Sequence, residues 1–357
     1  MARMTSGRAG RAALLAVVLT ALPVTLGATA EPEDSATAGA PEGSETAFRL
    51  TDPRIAESSG LAASRLYEGV YWTHNDSGDQ YGPDVYAVDE TGRTVATVRL
   101  SGDGVQARDW EAVAMGTDDS GAPAVFVGDI GDNFDGGWPD VRVYRFPEPA
   151  VLGDQTVAAT TFTFRYADGA RNAEGMMIDP RDNRLYVISK EVGGGVYAAP
   201  ERPTADGVNE LVRIASAPLY ATDAAFAADG SRYAVRTYWS ANVYDASDGV
   251  PGRIVERVTL PRTEQGESLA FTPDGTALMA GTEGLDSPVW RVPLTAAPEP
   301  AEPDPGTARP EEEPADPPAP DRPAADPDGE GALPLILAGG LGAAVVIAAI
   351  VWLARRG

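Results

Sequence analysis

Five acidic residues, each followed by small and apolar ones, recur at intervals of 44 to 63 residues: Glu57-Ser58-Ser59-Gly60-Leu61, Glu111-Ala112-Val113-Ala114, Glu174-Gly175-Met176-Met177, Asp223-Ala224-Ala225-Phe226 and Glu267-Ser268-Leu269-Ala270. Brought to one axis, five carboxylates repel one another at neutral pH and raise some of their own pKa values unless a cation or an arginine neutralises them. A hard cation answers that need. Calcium accepts about six to eight oxygen ligands in irregular geometry, and an exported protein meets it at concentrations where weak sites fill. One expectation is therefore a calcium ring of Glu57, Glu111, Glu174, Asp223 and Glu267. The other is structural: an acid at the start of a strand can accept backbone amides of the next sheet and knit the two together. Zinc is disfavoured by a single histidine, His74, and by the absence of cysteine.

A second set of residues could act on a ligand. The ends of the strands that follow these acids supply His74-Asn75-Asp76, Asp129 with Asp132 and Asn133, Lys190-Glu191, Arg236 and Glu283. Lys190 is the only lysine, and with Arg236 it could meet a phosphate or a carboxylate, the arginine through its planar fork. The catalytic candidates are Glu111, Glu174, His74, Lys190 and Arg236. Serine nucleophilic chemistry lacks a Gly-x-Ser-x-Gly elbow, and His74 would be its only base. Gly193-Gly194-Gly195 is followed by no Lys-Ser/Thr pair and leads into a strand, so it is no phosphate loop. Asp76-Ser77-Gly78-Asp79 and the stretch from Gly128 to Asn133 have the composition of ion loops, but turn chemistry selects the same residues, and turns are the preferred reading.

These residues need elements to hold them. After each acid comes a turn of Gly, Pro, Asp or Asn, such as Asp118-Asp119-Ser120-Gly121 and Pro273-Asp274-Gly275-Thr276, and then a second strand such as Ala124-Val125-Phe126-Val127. A third strand opens on an aromatic at Tyr86, Tyr144, Tyr197, Tyr244 and Trp290, and four of the repeats continue into a fourth strand. The fifth lacks one, whereas Phe48-Arg49-Leu50 stands unpaired before the first. If the N-terminal strand completes the last sheet, the ring closes and no edge is exposed. The expected fold is all-β, a five-bladed β-propeller over residues 46–296; six blades would follow if 147–160 hid another hairpin. Trp72, Trp110, Trp239 and Trp290 are expected as core between blades.

The stretches Glu57-Ser58-Ser59-Gly60-Leu61, Trp72-Thr73-His74-Asn75-Asp76-Ser77-Gly78, Asp109-Trp110-Glu111-Ala112-Val113-Ala114 and Gly128-Asp129-Ile130-Gly131-Asp132-Asn133 resemble exported bacterial WD40-like propellers. Related patterns occur in esterase-like phytase and SdiA-regulated propellers. Calcium-dependent apyrase propellers likewise place acids at blade starts around a central calcium, which Glu57, Glu111, Glu174 and Glu267 could match, with Asp223 a shorter side chain. The resemblance covers the head alone; it implies a propeller with a calcium and transfers no reaction.

The two ends read as addresses. Arg3, Arg8 and Arg11, the apolar run from Ala12 to Leu22 and Ala28-Thr29-Ala30 make a secretory signal over 1–30, followed by a disordered segment over 31–45. Residues 333–354 carry no charge and are long enough to span a bilayer, with Arg355 and Arg356 in a cytoplasmic tail, 355–357. Small residues such as Gly339, Gly340, Ala343 and Ala344 would let two such helices pair as a dimer. Between head and helix, 297–332 is acidic and proline-rich, an extended stalk. The net charge of −25 argues against nucleic acid as a partner. With arginine in place of lysine almost throughout, the composition points to a Gram-positive, actinomycete-like surface. The expected function is binding of an extracellular ligand or protein at the channel rim; the alternative is a calcium-dependent phosphoester or ester hydrolase.

Overall fold

Burial along each repeat tells where its strands lie. Val70–Asn75 and Leu185–Ser189 are buried at every residue, as strands covered on both faces must be. Thr94–Ser101 alternates, and Arg253–Thr259 is mostly exposed, as expected at a sheet's outer edge. The computed structural model describes residues 39–76, 80–133 and 137–295. The expected export signal, the start of the segment expected after it, Ser77-Gly78-Asp79, and the expected stalk, membrane helix and tail lie outside these residues. No helix among the described residues is long and apolar enough to cross a membrane.

The chain opens with β1 (Glu45–Leu50) and continues into β2 (Ser58–Ala63), β3 (Val70–Asn75), β4 (Asp84–Asp89) and β5 (Thr94–Ser101), the last four hydrogen-bonded in that order. Next come β6 (Trp110–Thr117), β7 (Pro123–Asp129) and β8 (Val141–Pro147), then β9 (Gln155–Ala158) and β10 (Thr160–Tyr166). They are followed by β11 (Ala173–Ile178), β12 (Leu185–Ser189), β13 (Gly195–Ala198) and β14 (Val208–Ser216). A further antiparallel run holds β15 (Ala221–Phe226), β16 (Arg232–Thr237), β17 (Ser240–Asp245) and β18 (Arg253–Thr259). Finally β19 (Leu269–Phe271), β20 (Ala277–Ala280) and β21 (Ser287–Pro293) pair in sequence, and β1 adds to β21 with Thr46 opposite Trp290. The first strands touch in a closed cycle, β2 to β6, β11, β15, β19 and back to β2. Antiparallel sheets standing around a shared axis in this way make a β-propeller.

The stretch 147–160 hides no hairpin. It supplies β9, which pairs in parallel with β5 and covers that sheet's outer edge, while β10 pairs in parallel with β14 and joins two neighbouring sheets. Aromatic rings fill the space between sheets. Trp72 and Phe146 meet edge to face at 6.2 Å, and the Trp72 indole N–H donates to Glu148 Oε1 at 2.9 Å, so the buried ring leaves no donor unpaired. Removing such a ring costs about 3–5 kcal/mol. Trp110 and Trp290 are also buried, but Trp239 is 64% exposed, contrary to its expected place in the core. It stands in the short turn between β16 and β17, where no sheet can cover it.

Candidate functional site

The first strand of each sheet begins at the end of the ring where the second strand finishes. The register pairs Ser58 with Asn75, Trp110 with Asp129, Ala173 with Ser189, Ala221 with Thr237 and Leu269 with Ala280. At this shared end four of the first strands carry an extra residue. The register slips between Ser58 and Gly60, Trp110 and Ala112, Ala173 and Gly175, and Ala221 and Asp223. Glu111 and Glu174 are the inserted residues of β6 and β11, and their counterparts are Ser59 and Thr222. Glu57 therefore lies two residues before the equivalent position, and Asp223 one after it. Sequence spacing aligned the five acids residue for residue; the bulges set them at different depths, because a one-residue insertion changes which side chains face the axis.

Asn75 holds the loop ahead of β2. Its side-chain oxygen accepts from the Ala56 and Glu57 amides at 2.9 and 3.0 Å, and its amide donates to the Arg54 carbonyl at 2.8 Å. The next residue, Asp76, gives its own amide to the Glu57 carbonyl. Glu57, Asp76 and Glu283 form a half-buried outer tier of carboxylates. Below it Asp109, Glu111, Glu174 and Glu267 are each no more than 5% exposed. One carboxylate oxygen apiece from Asp76, Asp109 and Glu111 falls within 4.8 Å of the others, the separation of oxygens around a single hard cation. Asp109 is set there by Asp129, whose carboxylate accepts the Asp109 amide at 2.9 Å while pairing with Arg108 at 2.8 Å. Gly131 lines the same spot: a Cβ on it would lie 2.5 Å from Glu111 Oε1 and 2.6 Å from Asp109 Cγ. Burial, then the charges of Glu174, Asp76 and Asp109, push Glu111 well above the ordinary carboxylate range.

Lys190 sits beside the triad. Its ammonium touches Glu174, lies 3.9 Å from Glu267 Oε1 and is 4.9 Å from the centre of the Tyr238 ring. Burial pulls this amine down, but the charges of Glu174 and Glu267 outweigh it and hold the ammonium well above its usual value. Burial raises both glutamates in turn, and among the described residues no donor reaches the buried Oε2 of either. Two acids thus share one ammonium. Arg236, also fully buried, donates to the Ser268 carbonyl, and burial brings it down to about 10 against the charges of Glu267 and Asp223.

The remaining residues have other employment. Asp223 is wholly buried, and its carboxylate accepts the Ala224 amide at 2.7 Å and the Leu269 amide at 2.6 Å, joining β15 to β19. His74 is wholly buried, stands edge-on to Trp110 at 6.0 Å and places Nδ1 2.9 Å from the Asn75 carbonyl. Burial lowers its pKa, so the ring is neutral at neutral pH and packs between β2 and β6. Asp132 accepts the Gly137 and Trp138 amides at 3.1 and 2.9 Å, which is turn chemistry. Asp109 and Tyr238 were not among the sequence candidates. The Asp109-Trp110-Glu111 run put Asp109 within view, whereas no spacing marks Tyr238.

The other end of the ring differs in kind. A cavity of about 110 Å³ opens there among Leu61, Val113, Met115, Met177, Phe226 and Phe271. The pairing of Glu45 with Arg291 and of Ala277 with Pro293 brings the start of β1 and the end of β21 to this side.

No family model and no curated relative matches the sequence. Among solved structures, the chain is similar to a gluconolactonase from Xanthomonas campestris at 15% identity and a TM-score of 0.41, over 69% of this chain and 91% of that one. It is also similar to the hydrazine synthase of Kuenenia stuttgartiensis at 17% identity and a TM-score of 0.36, over 68% of this chain and 60% of the other. Neither likeness bears on chemistry.

Proposed function

We propose that the head is an extracellular binding module whose acidic channel mouth holds a calcium ion and presents it to a ligand. The ring reads as five four-stranded blades, the last completed by β1. The observation that carries the reading is the convergence of Asp76 with Asp109 and Glu111, two separate segments of the chain, their oxygens within 4.8 Å of one another. The unshared oxygens of Glu174 and Glu267 add further oxygen acceptors at the same end. Calcium would be held by the triad and would neutralise carboxylates that otherwise repel one another. The export signal, stalk and membrane helix read from the sequence then tether the head on the outer surface of a cell.

Thermal unfolding of the full-length protein in detergent, with calcium, magnesium or chelator, tests this. A ligand at a hundred times its dissociation constant stabilises by about 2.7 kcal/mol. Calcium is expected to raise the melting temperature, magnesium to do less because it demands a small octahedral site, and Glu111→Gln to remove the response. A melting temperature indifferent to chelator sinks the cation.

A hydrolase is the second reading, favoured by the buried Glu174 and Glu267 with the half-buried Lys190 beside the triad. There the cation would polarise a phosphoester or ester and a neighbouring carboxylate would activate water. Calcium-dependent turnover of nucleotides, phytate or aryl esters that disappears in Glu174→Gln would put this reading first.

A further inference from the structure

The acidic mouth has an apolar border on one side. Val192, Leu219, Trp239 and Leu285 are 71, 54, 64 and 66% exposed, and all four stand in connections at the acidic end. They follow β12, β14, β16 and β20, so they belong to three successive sheets. The acidic-end connections of the other two sheets carry no exposed large apolar residue among the described residues. Isolated exposed apolar side chains are ordinary, but an arc of them beside a charged opening is not. Two of the four adjoin residues in the left-handed region, where side chains are disfavoured: Tyr220 follows Leu219 with φ 54°, and Asp286 follows Leu285 with φ 51°. Backbone strain of this sort persists where the surrounding structure enforces it, and it holds the two loops in fixed poses.

The arc is joined to the acids through named residues. Leu285 lies two positions after Glu283, and the Gly284 amide donates to the Ala56 carbonyl, next to Glu57. The Trp239 ring is 5.8 Å from Tyr238, which itself lies under the Lys190 ammonium. Beyond burial, the groups that act on Glu57 and Glu283 are other acids, Tyr81 and Gln265.

We infer that this face receives a protein segment presenting a lysine or arginine flanked by bulky apolar side chains, its cation meeting Glu57 and Glu283 and its apolar neighbours covering Trp239 and Leu285. Charge complementarity chooses the partner. A chain of net charge −25 with a carboxylate-lined mouth repels acidic segments and anionic membranes, and attracts basic ones over a Debye length. Lys190 shows that carboxylates and an aromatic face at this end already accommodate an ammonium. The inference rests on the head being a binding module. It does not rest on the calcium ion, since neither tested pair of residues belongs to the triad.

Selection from a displayed library of random peptides of about a dozen residues, on the full-length protein in detergent, tests it with and without calcium. The expected consensus is Lys or Arg beside Leu, Ile, Phe or Trp. Affinity for the selected peptides is expected to fall about tenfold or more both in Glu57→Gln/Glu283→Gln and in Trp239→Ser/Leu285→Ser, each variant melting close to the parent. Binding through the first pair should weaken with salt. A selection without that consensus overturns the inference. So does polylysine competing as well as the selected peptides, which would mean attraction by charge alone, or undiminished binding to either variant. Failure of the calcium response with the consensus intact would remove the ion and leave the partner.

Discussion

The Lys190 ammonium lies 3.9 Å from Oε1 of Glu267 while in contact with Glu174, so one side chain spans the mouth of the channel. Glu174 is in β11 and Glu267 just ahead of β19, and these first strands are separated by β15. The chain's only lysine is thus a tie between strands that are not neighbours.

Removing that tie leaves two buried carboxylates facing each other. Lys190→Met is expected to destabilise the head by about 3–5 kcal/mol, the range for breaking a buried pair from one side. Adding Glu174→Gln should restore part of the loss, because one of the stranded charges is then gone. Denaturant midpoints measure both; a Lys190→Met protein with the parent's midpoint would show that the pair contributes nothing.

Stability should depend on pH in a direction unusual for carboxylates. Glu283 is pushed up to about 8 by burial, then by the charges of Glu267, Asp76 and Glu57, from an ordinary value of 4.5. Between those values the folded state keeps a proton that the unfolded chain releases. Stability is therefore greatest below about 4.5 and declines as pH rises to 8. Glu57, Glu111, Glu174 and Glu267 are displaced the same way. Asp52 and Asp274, lowered to about 2 by hydrogen bonds, act oppositely below this window, and His74, lowered by burial, opposes the trend only below its ordinary 6.5. The chelated protein should melt lower at pH 8 than at pH 5.5, with a smaller difference in Glu283→Gln. A flat or rising profile would mean these acids ionise freely.

Gly131→Ala probes the triad without touching a carboxylate. A methyl group there would fall 2.5 Å from Glu111 Oε1 and 2.6 Å from Asp109 Cγ, closer than atoms sit, so the two acids must part. The calcium-induced rise in melting temperature is expected to be lost. Retention of the full rise would place the ion elsewhere.

Much of this arrangement was legible in the sequence. Gly- and Asp-rich turns set off the strands, and the unpaired Phe48-Arg49-Leu50 matched the strand missing from the last repeat, as the β1–β21 pairing shows. Period-two patterns carry such information because burial follows alternation. The bulges did not show, since an inserted residue leaves no trace in a pattern of small and apolar residues. Hence Glu57 and Asp223 seemed equivalent to Glu111. Trp239 looked like core because apolar character says nothing about whether a residue stands on a strand or in a turn.

Asp223→Asn separates structural acids from cation ligands. Each oxygen of Asp223 accepts one backbone amide, and an amide side chain keeps only one acceptor. The Leu269 or Ala224 amide would be left buried and unpaired, at a cost of about 1–3 kcal/mol. That loss should be the same with calcium and with chelator. A variant whose defect appears only in calcium would make Asp223 a ligand.

The last prediction concerns closure of the ring. Phe48 and Leu50 of β1 are buried between the last sheet and the first, Phe48 lying 5.6 Å from Tyr71 of β3. Two effects follow from removing β1: about 2–5 kcal/mol of stability goes with each large apolar side chain, and β21 is left with a row of unpaired amides and carbonyls. Leu50→Ala isolates the first effect and should lower the denaturant midpoint while the protein stays monomeric. Deleting residues 39–50 adds the second and should drive association through the open edge. A synthetic peptide spanning residues 43–52 can re-form the β21 ladder, so it is expected to return the truncated protein to a monomer and to recover most of its melting temperature. Scrambling the peptide, or replacing its Phe48 and Leu50 by serine, should abolish the rescue, since main-chain pairing alone leaves the gap between the sheets unfilled. A truncated protein that remains monomeric and melts with the parent would mean that the ring holds without β1.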